Sequence, residues 1–374
     1  MEVVYSGKSR VRWGVFWVGV LAFIFIASYF LFFPHVSILY PILVGLLFCL
    51  SAVKKDSKHL ILMIGSGLIG EKILHLMTQN YDNDYRLIHF PWQEETPDSL
   101  EKEWVRLGTI LKDDKIEKVI IALDDRRNHF PAEWLLAVRA MGVRVIEGVY
   151  FYEDISGRVP IDLIKPSNLI FSGGFKRSER TLLLKRVGDI FLSVVGLLVG
   201  FPLVLISAVL IKLTSKGPVF YCQERVGLKG HLFKVIKLRT MIDGAEKCSG
   251  AVYAEKNDKR ETKVGHFLRK YRLDEIPQMI NILKGEMSFV GPRPERPCFV
   301  EDLDGKIPFY RLRHTIKPGL TGWAQVRYPY SSTLQASHEK FEHDLYYMKH
   351  VSLSLDMKII LNTVRVVITG QGAR

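Results

Sequence analysis

The chain has 374 residues, 48% hydrophobic and 24% charged, with a formal net charge of +13 at pH 7. A mean hydropathy of +0.10 in so charged a chain means that apolar residues are concentrated somewhere. This excludes an intrinsically disordered chain and argues against a purely soluble one. Cys49, Cys222, Cys248 and Cys298 form no CxxC pair, so neither a disulfide scaffold nor a zinc cluster is expected.

Residues 13–33 form an uncharged run, long enough to cross a hydrocarbon core of roughly 30 Å as a helix. A second uncharged run follows over 36–53. Lys8, Arg10 and Arg12 precede the pair, and Lys54, Lys55 and Lys58 follow it. The positive-inside rule then places both ends in the cytoplasm and predicts a transmembrane hairpin over 1–58. A cleaved signal peptide fits less well, because no small-residue cleavage site separates the runs.

Residues 59–150 alternate strand-like and helix-like runs. Strands are expected at 59–64, 85–90, 118–123 and 143–147, with helices running to about Met77 and over 134–141. This layout predicts a small Rossmann-like parallel α/β domain, with Gly65, Gly67 and Gly70 forming a GxGxxG after its first strand. A dinucleotide site also wants a carboxylate at the end of the second strand. Here that strand ends His89-Phe90-Pro91, and Glu94 and Glu95 come later. A structural or regulatory role is favoured over cofactor binding. Residues 151–180 read as a linker.

The third apolar stretch, 190–211, has Gly196, Gly200 and Pro202 near its middle. Lys185 and Arg186 stand before it, and Lys212 and Lys216 after it. Proline removes a backbone donor and kinks a helix, and basic flanks on both sides disfavour a crossing. The stretch predicts a re-entrant membrane helix over 186–213, broken at Pro202. A kinked span or a buried core helix is the plainer reading.

Residues 181–374 hold 30 Lys/Arg against 18 Asp/Glu, so nearly all the excess positive charge lies in this half. That suits an anionic lipid surface and phosphate-bearing substrates. Nucleic acid is not expected as a partner, since it leaves the membrane-grade segments unexplained.

Four polar clusters follow the third apolar stretch. Residues 217–227 read GPVFYCQERVG and continue to FKVIKLRTM at 233–241. Residues 265–281 read GHFLRKYRLDEIPQMIN. The remaining two are KGEMSFVGPRPE at 284–295 and KPGLTGWAQV at 317–326. Asp274, Glu275 and Pro277 predict the first turn of a helix running to about Leu283, where carboxylates often only complement the dipole. Adjacent carboxylates ringed by Arg269, Lys270 and Arg272 also suit a metal-bound pyrophosphate. Arg293, between two prolines, is a stiffly placed guanidinium suited to phosphate, although a turn-stabilising arginine is the plainer reading.

These clusters, in this order, resemble the bacterial sugar transferase family, monotopic polyprenyl-phosphate phosphoglycosyl transferases that start exopolysaccharide and O-antigen assembly. The resemblance covers about 181–374. It implies a mainly helical catalytic domain with a re-entrant helix, on the cytoplasmic face of the bacterial inner membrane. It implies transfer of a sugar-1-phosphate from a UDP-sugar to undecaprenyl phosphate, with release of UMP. Asp274 matches the family's nucleophile, Glu275 its Mg²⁺-binding carboxylate, and Pro202 the break in its re-entrant helix. Lys237, Arg269 and Arg293 fall on its basic positions. Gln223, Arg225, Arg239 and Gln278, in the same clusters, are further substrate-binding candidates.

Long members of the family carry a Rossmann-like module and make a homodimer a further expectation. After TGWAQV many members continue with an Asn-Gly-Arg-Asn-like run, whereas Arg327-Tyr-Pro-Tyr-Ser-Ser follows here, which leaves the sugar open. Two other classes compete. A membrane-tethered nucleotide-sugar oxidoreductase or dehydratase would want a Tyr-x-x-x-Lys pair, and 59–150 holds none. A non-catalytic lipid-binding scaffold leaves the dense polar clusters unexplained.

Overall fold

The computed structural model describes residues 3–5, 59–79, 85–91, 107–109, 116–123, 132–245, 258, 260–328 and 333–369. The expected hairpin over 13–53 and its basic flanks lie outside the described residues. The chain divides into two compact units, 1–155 and 156–374.

The first unit is built on a five-stranded sheet of order β1-β3-β2-β4-β5. Its strands are β1 (Val3–Tyr5), β2 (His59–Ile64), β3 (Tyr85–Phe90), β4 (Ile116–Ile121) and β5 (Arg144–Glu147). The last four pair in parallel, as their near-continuous apolar runs require of strands covered on both faces. Helices α1 (Leu68–Gln79) and α2 (Ala132–Ala140) alternate with them. The core includes Leu62, Ile64, Ile88, Val119, Ile121, Leu135 and Val138. Strand β1 was not expected, because three residues are too few to carry a periodic signal. It pairs antiparallel with β3.

The glycine loop after β2 is spent on packing. Gly65 has φ +101°, and a Cβ there would lie 2.6 Å from the Ala122 carbonyl oxygen. The Gly65 amide donates to Phe90 O at 2.9 Å and the Gly67 amide to Ala122 O at 3.0 Å. His89, at the strand end where a ribose carboxylate would stand, places Nε2 3.1 Å from Gly65 O. Two loop amides are thus already bonded to strand-end carbonyls.

Helix α3 (Gly148–Ser156) leads to the second unit. Of the linker expected over 151–180, residues 151–155 belong to the first unit and 156–180 to the second. Trp323 Nε1 donates to Gly157 O at 2.8 Å, and the Ile161 amide to Glu342 Oε1 at 3.2 Å. Val159 and Ile161 are buried, and a short helix α4 (Pro166–Phe171) follows. Pro160 and Pro166 interrupt the apolar residues, so no periodicity shows.

Helix α5 (Glu179–Thr214) begins earlier than the expected 186, on a Ser178 cap that accepts from the Thr181 amide. It is long and apolar enough to cross a membrane, and only 17% of its most apolar window is buried. The break expected at Pro202 does not end it: one lost donor interrupts the hydrogen-bond ladder, and helix continues on both sides. Ile211 joins a cluster with Leu238 and Leu268, so the C-terminal end of α5 is seated on the domain core.

A chain beginning at Ser156 is expected to melt several degrees higher than one beginning at Arg180. The latter lacks Gly157 O, Val159 and Ile161 and leaves Trp323 Nε1 buried without its acceptor, at a cost of about 1–3 kcal/mol. Thermal unfolding of the two detergent-solubilised proteins checks this; equal melting contradicts the packing.

Candidate active site

Strands β6 (Phe220–Val226) and β7 (Leu232–Leu238) form an antiparallel ribbon. Helix α6 (Lys263–Lys270) follows, capped by Thr262. Arg272 then takes a left-handed conformation, φ 53°, which ends the helix and reverses the chain. Asp274 and Glu275 therefore lie in a 3₁₀ turn, Leu273–Glu275, and not in the first turn of an α-helix as expected. The bonds Glu275 N to Arg272 O and Ile276 N to Leu273 O, at 3.2 and 3.3 Å, close it at i→i+3. Helix α7 starts only at Gln278 and ends at Lys284. With three residues per turn, adjacent side chains diverge by about 120°.

That divergence gives the two carboxylates different surroundings. Glu275 Oε1 accepts from Lys237 Nζ at 2.9 Å and from Arg293 Nη2 at 2.8 Å, and its Oε2 lies 3.6 Å from Arg272. Asp274 has no hydrogen bond or ion pair among the described residues. Both are buried, 7% and 6% exposed. Burial pushes Glu275 up, but Arg293, Lys237 and Arg272 outweigh it and hold it well below the usual range. Burial, together with the charge of Glu275, pushes Asp274 up to about 6 despite Lys237, Arg269 and Arg293. Burial likewise lowers Lys237, with Glu275 opposing. Adjacent carboxylates driven apart in this way are the pattern that assigns separate chemical roles.

Each cation reaches the site from a different element. Lys237 comes from β7, which Asn281 of α7 clamps by accepting from the Ile236 amide at 3.2 Å and donating to Lys234 O at 2.8 Å. Arg293 follows β8 (Ser288–Val290), which pairs in parallel with β9 (Gly319–Thr321). Its carbonyl accepts from Arg313 Nη2 at 2.9 Å. Arg269 pairs with Glu261 at 3.2 Å.

These groups face a cavity of about 660 Å³, lined by eleven Lys and Arg side chains against five Asp and Glu. Of the residues singled out from sequence, Gln223, Arg225, Lys237, Arg239, Arg269, Asp274, Glu275 and Arg293 line it. Arg225 is held by Pro294 O at 3.1 Å and by Gln223. Arg239 spends Nη2 on Ser215, the C-cap of α5, through O at 3.0 Å and Oγ at 2.8 Å. Gln278 is buried at the start of α7 and does not line the cavity. A divalent cation fits the donor set only alongside phosphate oxygens. Glu275 shares both oxygens with cations, and Mg²⁺ ordinarily takes one or two carboxylates plus substrate phosphates and waters.

Sequence reasoning missed the buried pair under Arg293. Arg313 lies in a 3₁₀ segment, Tyr310–Thr315, and donates to the Tyr310 hydroxyl and to Asp344 Oδ2 at 3.2 Å. Asp344 sits on α8 (Leu334–Lys349), remote in sequence and outside every cluster, so no local signal marks it. Burial pushes its carboxyl up to about 6, with Arg313 opposing. Arg313→Met is expected to cost about 3–5 kcal/mol, because it leaves a buried carboxylate unpaired and frees the Arg293 carbonyl. A drop in thermal unfolding checks this, and an unchanged melting temperature contradicts it.

The model of the bacterial sugar transferase family matches residues 180–370. Over 222 residues, the chain is 44% identical to a UDP-N-acetylgalactosamine-undecaprenyl-phosphate N-acetylgalactosaminephosphotransferase of Aeromonas hydrophila, covering 59% of this chain and 52% of that one. It is 44% identical over 184 residues to the UDP-glucose:undecaprenyl-phosphate glucose-1-phosphate transferase of Escherichia coli, covering 49% and 39%. An undecaprenyl-phosphate glucose phosphotransferase of Komagataeibacter xylinus is 31% identical over 312 residues, covering 81% and 58%. The chain thus spans about half the length of these relatives. The match covers all four polar clusters, both carboxylates and the cations around them: this chain belongs to the bacterial sugar transferase family.

Proposed function

We propose that the chain transfers a sugar-1-phosphate from a UDP-sugar to undecaprenyl phosphate, giving undecaprenyl-diphosphate-sugar and UMP, as a membrane step of polysaccharide synthesis. The observation that carries this reading is the contrast at the carboxylate turn. Asp274 has no hydrogen bond or ion pair among the described residues and faces a strongly cationic cavity, while Glu275 is pinned by Lys237 and Arg293. The relatives named above, acting on undecaprenyl phosphate, support the same reaction class.

In the first step an Asp274 carboxylate oxygen attacks the β-phosphorus of the UDP-sugar. A phosphorus–oxygen bond forms, the bond to the bridging oxygen breaks, and UMP leaves with that electron pair. In the second step a phosphate oxygen of undecaprenyl phosphate attacks the same phosphorus and Asp274 departs as carboxylate. Lys237, Arg269 and Arg293 stabilise the charge on the transferring group. Gln223 and Arg225 face the same cavity as contacts for the nucleotide end. Glu275 would hold Mg²⁺ together with the substrate phosphates, and the ion would supply further neutralisation of the diphosphate.

Helix α5 carries the apolar surface for the lipid partner. In this reading it enters the membrane and returns to the same side around Pro202, where the missing amide donor loosens the continuous helix, keeping the site on the cytoplasmic face of the bacterial inner membrane. The sugar is left open, since the relatives named include both N-acetylgalactosamine and glucose enzymes.

Asp274→Asn is expected to abolish UMP release, because an amide is no nucleophile here. Glu275→Gln keeps the nucleophile and is expected to slow release by about 10²–10³-fold, the usual scale for losing one charge-stabilising group. UMP assays with candidate UDP-sugars and undecaprenyl phosphate check both, and undiminished release from Asp274→Asn contradicts the reading. The first half-reaction is expected to lose rate about tenfold per unit as pH falls below about 6, where Asp274 becomes protonated. The UDP-sugar diphosphate does not titrate there, so a flat profile between pH 5 and about 7 rules Asp274 out as an attacking group with a raised pKa.

A further inference from the structure

We propose that Lys185, Arg186 and Asp189 of the apolar helix α5 are positioning residues for the reaction centre, fastening its two halves in register. The inference rests on the transferase reading above. Basic residues at the border of a membrane helix ordinarily face anionic head groups, and Lys185 and Arg186 were read from sequence as such a flank. The structure turns both toward protein acceptors.

Arg186 donates through Nη1 to Ile282 O at 2.6 Å and through Nη2 to Leu283 O at 2.8 Å, the carbonyls that end α7. Ile282 O also accepts from the Gly285 amide that caps the helix, at 2.9 Å, so the guanidinium fork adds a second bond there, bonds Leu283 O as well, and holds the last turn of α7. Helix α7 begins three residues after Glu275. One turn along α5, Asp189 Oδ1 accepts from the Phe289 amide of β8 at 2.8 Å. Lys185 Nζ donates to Val290 O at 2.9 Å, and is itself held by Asp356 at 2.7 Å and the Tyr347 hydroxyl at 3.1 Å. Strand β8 ends three residues before Arg293.

The same helix also touches the far end of the carboxylate segment. A Cβ on Gly196 would lie 2.6 Å from Met279 Sδ, and one on Gly200 would lie 2.9 Å from Ile276 Cγ2. The α5 backbone thus lies directly against residues 276–279. One face of α5 grips the segment after Glu275 at both ends and the strand leading to Arg293. The Glu275–Arg293 bond of 2.8 Å closes the loop between the two. None of the three side chains lines the reaction cavity, so they act through the groups they hold.

The test uses full-length Arg186→Gln in nanodiscs of phosphatidylcholine alone and of phosphatidylcholine mixed with phosphatidylglycerol. We expect kcat for UMP release to fall about 10–10²-fold, the scale of a small misplacement of reacting groups, with KM for the UDP-sugar within about twofold. The variant-to-wild-type ratio should be the same in both lipids. Amide exchange followed by mass spectrometry should rise over 273–293. Arg186→Lys, which keeps the charge but not the fork, should give intermediate values, and it carries the test if the glutamine variant does not fold. An unchanged exchange pattern, an unchanged kcat, or a loss confined to discs containing phosphatidylglycerol would overturn the proposal, the last because it marks a lipid contact. Wild-type protein that releases no UMP would sink the transferase reading, while the exchange pattern still decides whether Arg186 fastens the segment.

Discussion

Glu275 accepts from Lys237 and Arg293 on one oxygen, and that shared acceptor joins three stretches of chain that are far apart in sequence. Strand β7 brings the lysine, the 3₁₀ turn brings the carboxylate, and the loop after β8 brings the arginine. A buried charge of this kind is tolerable only when it is paired on all sides. Its neighbour Asp274, also buried, lines the cavity with no hydrogen bond or ion pair among the described residues. The raised pKa of Asp274 follows from its burial beside the charge of Glu275.

The remaining elements of the second unit keep that triad from relaxing. Asn281 ties β7 to α7, Arg313 and Asp344 brace the Arg293 carbonyl from below, and Arg239 caps the C-terminal end of α5. Each is a charge-assisted or multiply bonded contact in a low-dielectric setting, where rigidity and electrostatic strength rise together. The cavity's excess of cations suits phosphate groups, and Glu275 engages Lys237 and Arg293 directly.

Much of this was legible in the sequence because the chemistry is clustered. LDEIPQ, GPRPE and the FKVIKLR strand each place a reactive residue beside the proline or apolar alternation that fixes it. The parallel strands of the first unit showed as short apolar runs punctuated by glycine. What was not legible is what depends on distant pairing. The left-handed Arg272 that turns an expected α-helix into a 3₁₀ turn carries no glycine to announce it. The Arg313–Asp344 pair spans 31 residues and lies outside any motif. Residues 151–180 looked like a linker because the partners that hold backbone groups there, Trp323 on Gly157 O and Glu342 on the Ile161 amide, lie more than 150 residues later. Lys185 and Arg186 looked like a membrane flank because nothing in a sequence says which way a long cation points.

The central claim is that the two carboxylates divide the work, with Asp274 alone forming a bond to phosphorus. Its most direct test is to incubate the full chain with a radiolabelled UDP-sugar in the absence of lipid acceptor, quench rapidly, and map the labelled peptide by mass spectrometry. The account predicts a sugar-phosphate adduct on Asp274 that undecaprenyl phosphate discharges. An adduct on Glu275 or any other residue, or turnover with no adduct at all, would contradict it.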